Sequence, residues 1–216
     1  MCRTGVAIIG AVPPQRSQAF AARPFGAPIV VVSGLPRSGT SMAMGMLEAG
    51  GLEVVSDGAR AADHSNPRGY YEDERVKTLD TGADKSWLEG VRGKAIKIIS
   101  FLLKDLPDSN SYRVLFMHRD MEEVLASQRK MLQALGESLE DTADARLAKA
   151  YTAHLTAVHD LLSSRPCFDV LALRYEDVVG QSAEQAERIN QFLGGGLDAA
   201  KMAAAVDRSL YRNRRS

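Results

Sequence analysis

Residues 29–49 read IVVVSGLPRSGTSMAMGMLEA, and the fold is decided by how this stretch divides. Ile29-Val30-Val31-Val32 is a short β-branched run, the pattern of a strand buried on both faces. Gly34-Leu35-Pro36-Arg37-Ser38-Gly39 interrupts it, and Thr40-Ser41 opens a helical segment with Met42, Met46 and Leu47 on one face. A strand, a glycine-bounded loop and a helix start together make a phosphate cradle. The glycines let the backbone turn its N–H groups inward, and the helix adds unpaired N–H groups and the positive end of its dipole. Ser38, Thr40 and Ser41 contribute hydroxyl donors, and Arg37 contributes a fixed positive charge.

Gly34 and Gly39 have the spacing of the nucleoside-triphosphatase loop G-x-x-x-x-G-K-[ST], but Thr40 stands where that loop has its lysine. Without a lysine for the terminal phosphates, a magnesium–triphosphate site loses support. The cation is inside the loop instead, as Pro36-Arg37-Ser38-Gly39-Thr40.

Outward from this stretch, the chain alternates strand and helix signals. Leu52–Val55, Ala95–Ile99, Arg113–His118 and Asp169–Leu173 read as further strands. Helical periodicity begins near Asp73 with Val76 and Leu79. It recurs behind an Asp120 N-cap with Met121, Val124, Leu125, Gln128, Met131, Leu132 and Leu135. A longer helix is expected from Asp141 to Ser164, carrying Leu147, Tyr151, His154, Val158, Leu161 and Leu162 on one side, so that His154 reads as a packed histidine. Ala186, Ile189, Phe192 and Leu193 mark a last helix, ended by Gly194-Gly195-Gly196. Alternation of this kind predicts an α/β fold around a mainly parallel sheet flanked by helices. Ligands of such sheets gather at the carboxyl ends of the strands. The Gly34–Thr40 loop, Asp57, Arg119 and Arg174-Tyr175 all fall at predicted strand ends and are expected to share one cleft.

Composition sets the outer bounds. The 216 residues suit one domain, with residues 1–27 expected as a poorly ordered extension and 28–216 as the folded domain. The 27 basic residues balance 27 acidic ones, so no bulk attraction to nucleic acid or to an anionic membrane is implied. Charge is nonetheless uneven, with no acidic residue before Glu48 and an arginine-rich tail at Arg208, Arg212, Arg214 and Arg215. Two cysteines, Cys2 and Cys167, fit a reducing compartment, and a cytoplasmic location is expected. No apolar run approaches the ~20 residues of a membrane-spanning helix.

The loop P-R-S-G-T-S resembles the P-[KR]-S-G-T-[ST] loop of the PAPS-dependent sulfotransferase superfamily, where it holds the 5′-phosphosulfate of 3′-phosphoadenosine 5′-phosphosulfate. Two further stretches resemble family motifs. Arg119 is followed eight positions later by Ser127 (127 − 119 = 8), the arginine–serine pair that binds the 3′-phosphate in relatives. Leu173-Arg174-Tyr175-Glu176-Asp177, with Phe192-Leu193-Gly194 downstream, is similar to the Y-E-D-L and F-L-G elements, and Tyr175 matches a tyrosine that contacts the adenine ring. Asn66–Glu72, NPRGYYE, is similar to compact bacterial members. The resemblance implies a three-layer P-loop fold and a PAPS site made of Pro36, Arg37, Ser38, Gly39, Thr40, Ser41, Arg119, Ser127 and Tyr175.

The activity it implies is sulfuryl transfer from PAPS to a hydroxyl or amine acceptor, without metal, releasing adenosine 3′,5′-bisphosphate (PAP). Arg37 would stabilise charge on the leaving oxygen. The acceptor, a small molecule, saccharide or peptide, would lose its proton to a base. The histidine base of the K-x-H pattern is absent, because Lys97-Ile98 is followed by Ile99. Asp57 matches the glutamate base of tyrosylprotein sulfotransferases by distance from the loop, and Glu72 closes the long loop beside two tyrosines. His64 and Asp63 are outlying candidates. Two other classes stay open: a nucleotide or small-molecule kinase, and a non-catalytic PAP- or nucleotide-binding regulatory protein.

Overall fold

A computed structural model describes residues 26–58, 71–134 and 141–210. The expectations for the extension up to residue 25, for Asp63, His64 and the NPRGY stretch, for Leu135 and for the arginines after Arg208 lie outside these residues. Five strands form one parallel sheet: β1 (Ile29–Gly34), β2 (Val54–Val55), β3 (Ala95–Lys97), β4 (Tyr112–His118) and β5 (Phe168–Arg174), in the order β2-β3-β1-β4-β5. The mixed α/β architecture with a parallel sheet flanked by helices is thus as the sequence predicts.

The unbroken apolar run of β1 follows from its place at the centre. Ile29 and Val31 pack into a core with Ile96, Val114, Phe116, Val158 and Leu162, beneath three 3₁₀ turns and helix α3 (Asp141–Ser164). Val30 and Val32 face the opposite layer, built on α1 (Thr40–Ala49), α4 (Tyr175–Gly180), α5 (Ser182–Phe192) and α6 (Ala199–Ala204). Helix α2 (Met121–Ala134) closes a third, smaller cluster in which Val124 and Tyr151 meet Leu35 of the loop. Asp120 caps α2 as expected, its Oδ1 accepting from the N–H groups of Glu122 at 2.9 Å and Glu123 at 3.3 Å.

Several element bounds differ from the sequence reading, each for a local reason. Strand β2 starts at Val54, not Leu52, because the Leu52 N–H is spent closing α1. It donates to Leu47 O at 3.0 Å while Gly51 N donates to Glu48 O, and Gly51 takes the positive φ of 94° that this closure requires. Strand β3 stops at Lys97, since Ile98 N still reaches Val32 O but Ile99 already opens a 3₁₀ turn over Ser100–Asp105. The periodicity near Asp73 is a 3₁₀ turn, Glu74–Thr78, with Val76 and Leu79 buried as its spacing implies. On α1, Met44 is buried along with Met46 and Leu47, whereas Met42 is only half-buried, because α1 is covered by the sheet and also by α6 at Met202.

Half-buried His118, the last residue of β4, carries a pH dependence. Burial pushes its pKa below the ordinary histidine value. His159 and Arg174 act in the same direction, and Glu176 opposes them. The unfolded chain therefore takes up a proton near pH 6.5 that the folded chain refuses, and stability is lost as pH falls from about 6.5 toward the lower folded value. His154 is shifted the same way by burial and by Lys104. The thermal midpoint is expected to fall between pH 7 and 5.5, less steeply in His118→Gln and less still in His118→Gln/His154→Gln. Parallel curves for wild type and both variants would exclude these histidines as the cause.

Candidate active site

The strand order puts a crevice between the carboxyl ends of β1 and β4, because the chain leaves β1 toward β3 and β2 but leaves β4 toward β5. Into it projects the loop after β1. Gly34 has φ 151°, and a Cβ there would lie 2.5 Å from Ser38 Oγ and 2.6 Å from Met117 O. Gly39, the N-cap residue of α1, has φ 100°, and its Cβ would lie 2.5 Å from Cδ2 of Tyr175. Between them Arg37 has φ 70°, a left-handed conformation that side chains seldom adopt and that marks strain at a working site. Ser38 is 1% exposed, and its hydroxyl has no hydrogen-bond partner among the described residues. Gly39 has no side chain with which to cap the first turn of α1, which Thr40 and Ser41 open.

The second half of the site comes from the β4–α2 and β5–α4 junctions. Arg37 Nε donates to Ser127 Oγ at 3.0 Å, although the two are 90 residues apart. Arg119 Nη1 donates to the carbonyl of Arg37 at 3.2 Å, and its Nε donates to Glu123 Oε2 at 2.9 Å. The Arg119 guanidinium lies over the Tyr175 ring, 4.2 Å from the centroid. This is a buried pair, with side-chain exposures of 7% for Arg119 and 6% for Glu123. Tyr175 is 5% exposed, and burial pushes its phenol pKa up, with Arg119 opposing. The loop Pro36–Ser41, Arg119, Ser127 and Tyr175 are therefore one contiguous group.

Glu72 and Asp57 lie beyond the ends of β2 and β3. Their backbones are tied, Asp57 N donating to Glu72 O at 3.0 Å. The Asp57 carboxylate accepts from Glu74 N at 2.7 Å, adding to the Asp73 N-cap of the 3₁₀ turn. It lines an open depression of about 560 Å³ along the sheet edge with Asp73, Arg75, Trp87 and Lys94, and no residue of the loop Gly34–Thr40 lines that depression. Glu72 Oε1 instead lies 3.4 Å from Nζ of buried Lys97, the last residue of β3. Its neighbour Tyr71 (φ 50°) donates to Glu48 Oε2 at 2.7 Å, pinning this end of the segment to α1. At the end of β3, His154 Nε2 is 2.8 Å from Ser100 Oγ, and its ring is stacked at 3.7 Å on Phe101.

Sequence reasoning passed over Glu123 and Lys97 as site residues. Glu123 was detectable as the i+4 partner of Arg119 on a helix start. Lys97 carries no such signal, since its partner is supplied by a loop 25 residues earlier. Among the described residues no group of three or more His, Cys, Asp or Glu side chains could hold a metal ion, and no helix is long and apolar enough to cross a membrane.

A glycine-bounded loop at the head of a parallel α/β sheet, with Arg37 inside it and Arg119 against it, has the layout of a P-loop-like domain. The sulfotransferase domain family model matches residues 27–216, and the chain belongs to that family. Membership supports a transferase of the sulfotransferase kind. Among solved structures, the sulfotransferase domain from the curacin biosynthetic pathway is 18% identical, with a TM-score of 0.50 over 85% of this chain and 89% of that one. The sulfotransferase domain of the Synechococcus PCC 7002 olefin synthase is 16% identical, with a TM-score of 0.51 over 88% and 82%. At these identities the likeness is one of fold. No protein of curated function matches the chain by sequence.

Proposed function

We propose that the protein transfers a sulfuryl group from PAPS to a hydroxyl or amine acceptor and releases PAP. The observation that carries this reading is the convergence of Arg37, Arg119 and Ser127 around a loop whose buried Ser38 hydroxyl has no partner among the described residues. The residues fit the donor. Both glycines sit where a Cβ would strike a neighbour, Met117 O and Ser38 Oγ at Gly34 and the Tyr175 ring at Gly39, and Gly39 brings no capping side chain to the first turn of α1, whose N–H groups would suit anionic oxygens. Arg119 and Ser127 would hold the 3′-phosphate, and residues 36–41 the 5′ end. When bound, PAPS supplies an activated sulfuryl group and takes up negative charge as it departs. Arg37, the one cation within the loop, is the side chain of this chain placed to meet that charge. Glu72 would accept the acceptor proton, with Lys97 fixing its carboxylate; Asp57, already spent on a cap, is the weaker base.

The same proposal takes residues 28–216 as one catalytic domain, leaves residues 1–27 out of the chemistry and places the reaction in the cytoplasm. Small molecules, saccharides or peptides would be acceptors, with no metal, nucleic acid or membrane involved. The free Cys167 thiol is consistent with a reducing compartment; it is buried, and its pKa is pushed up to about 11.

Calorimetry with PAP, ADP and ATP, without and with magnesium, followed by an acceptor screen with labelled PAPS, tests the reading. PAP is expected to bind without magnesium. Arg119→Ala should weaken it by about 1.5–3 kcal/mol, the scale of a charge-assisted hydrogen bond. Equal binding by wild type and variant would remove Arg119 from the phosphate site. Magnesium-dependent ATP turnover would favour a kinase, and tight PAP binding without turnover on any acceptor would favour a regulatory protein.

A further inference from the structure

Resting on that reading, we propose that the acceptor is an alcohol or phenol with an apolar body, that Ile99 and Phe101 carry this body, and that His154 is the positioning residue that holds Phe101. Ile99, 37% exposed, and Phe101, 38% exposed, are the two large hydrophobic side chains left exposed among the described residues. Scattered singly, such residues need no explanation. These two stand one residue apart past the carboxyl end of β3, beside the strand that leads into the phosphate loop. Lys97 pairs with Val32, and Ile98 N still donates to Val32 O at 3.0 Å, so Ile99 comes level with Gly34, where the loop begins. Alternation along the extended chain turns Ile99 to the side of the sheet that Lys97 faces, and Glu72 lies there.

Phe101 is exposed and yet held. The His154 imidazole stacks on its ring, with 3.7 Å between centroids and 7° between planes. Nε2 of the same imidazole lies 2.8 Å from Oγ of Ser100, the buried residue just before it. Burial and Lys104 keep the His154 pKa below the ordinary histidine value, so the stacked ring is uncharged at neutral pH. One turn earlier on α3, Tyr151 is tilted against Phe101 at 6.2 Å and packs with Leu35 of the phosphate loop. The apolar surface is therefore continuous with the donor site. Apolar surface fixed in water is unfavourable until something covers it, and a surface fixed beforehand saves ordering cost when a ligand does so. Ile99 and Phe101 have no group to pair with the hydroxyls of a saccharide; an apolar body needs none. In the transfer, the acceptor oxygen gains the sulfuryl group, the sulfur–oxygen bond to PAP breaks, and the acceptor proton passes to Glu72 and on to water.

The test titrates 2-naphthol, 1-octanol, methyl glucoside and a short serine peptide into the protein, with and without PAP, and assays each with labelled PAPS. The two apolar alcohols are expected to bind and to be sulfated, at least tenfold more efficiently than the glucoside or the peptide. Phe101→Ala and Ile99→Thr should each raise both the Kd and the KM for 2-naphthol about tenfold, the scale of losing part of a buried apolar contact, with kcat and PAP affinity little changed. His154→Ala should act in the same direction, and His154→Phe, which returns a stacking face, should rescue most of the loss. In a Phe101→Ala background His154→Ala should cost nothing more. Preference for the glucoside or the peptide, or 2-naphthol binding unchanged in both Phe101→Ala and Ile99→Thr, overturns the proposal. Additive losses from His154→Ala and Phe101→Ala overturn the positioning role. 2-Naphthol binding that Phe101→Ala weakens, in a protein that does not take up PAP, supports the apolar surface and removes PAPS as donor. PAP binding without binding of either apolar alcohol overturns the apolar surface alone.

Discussion

Gly39→Ala is expected to destabilise the protein by about 2–6 kcal/mol and to abolish measurable PAP binding. Two costs add. Gly39 has φ 100° at the N-cap of α1, a conformation that strains any residue with a Cβ by about 1–3 kcal/mol. The new methyl would also stand 2.5 Å from Cδ2 and 2.9 Å from Cε2 of Tyr175, a buried ring that cannot swing aside without displacing Arg119. Overpacking of this kind costs about 1–3 kcal/mol. Urea unfolding checks the first part: the midpoint should fall with an unchanged slope. Calorimetry checks the second. A variant as stable as wild type would show that the ring yields freely, and the close approach of loop and α4 would then be incidental.

The second large effect is on turnover. Glu72→Gln is expected to lower kcat by at least ~10²-fold with PAP affinity intact, the lower end for loss of general-base assistance. Glutamine keeps the size and an acceptor oxygen near Lys97 but cannot take a proton. Asp57→Asn should act differently. Its carboxylate accepts from Glu74 N at the head of the 3₁₀ turn, and since asparagine keeps an acceptor oxygen the variant should stay folded and retain most of kcat. The pair of variants separates the two carboxylates by phenotype. If Glu72→Gln turned over normally while Asp57→Asn was inactive but stable, their roles would be exchanged. If both stayed active, the base would lie on the acceptor or at His64.

The phosphate loop was legible because its determinants are local: a β-branched run, two glycines five positions apart and a helix start. The pairing of Arg119 with Ser127 was legible only through resemblance, since their joining to Arg37 depends on β4 lying beside β1 in the sheet. No period in the sequence announces that adjacency. Tyr175 was assigned to adenine by the same resemblance, and its contact with Arg119, 4.2 Å from the ring centroid, has no signal in the sequence. The region between β2 and β3 was hard to read for another reason. Its 3₁₀ turns bury residues at i and i+3, a spacing they share with α-helices, so Val76 and Leu79 could report burial but not helix type. The two carboxylates there differ in sequence only by position, Asp57 by its distance from the loop and Glu72 by the tyrosines beside it; the structure adds that Asp57 accepts from Glu74 N while Glu72 lies against Lys97.

The central position of β1 also bears on how the chain is made. On a growing polypeptide β1 is complete 61 residues before β3 begins (95 − 34) and 78 residues before β4 begins (112 − 34). At translation rates of about 5–20 residues per second, the Ile-Val-Val-Val tetrad waits several seconds for a neighbouring strand. A short β-branched run without charge is the kind of segment that pairs wrongly while it waits. Pro28 precedes it directly and Pro36 follows four residues after its last valine, and neither can donate to a ladder. The proline inside the phosphate loop thus has an earlier task, limiting how far a stray strand can extend along the nascent chain.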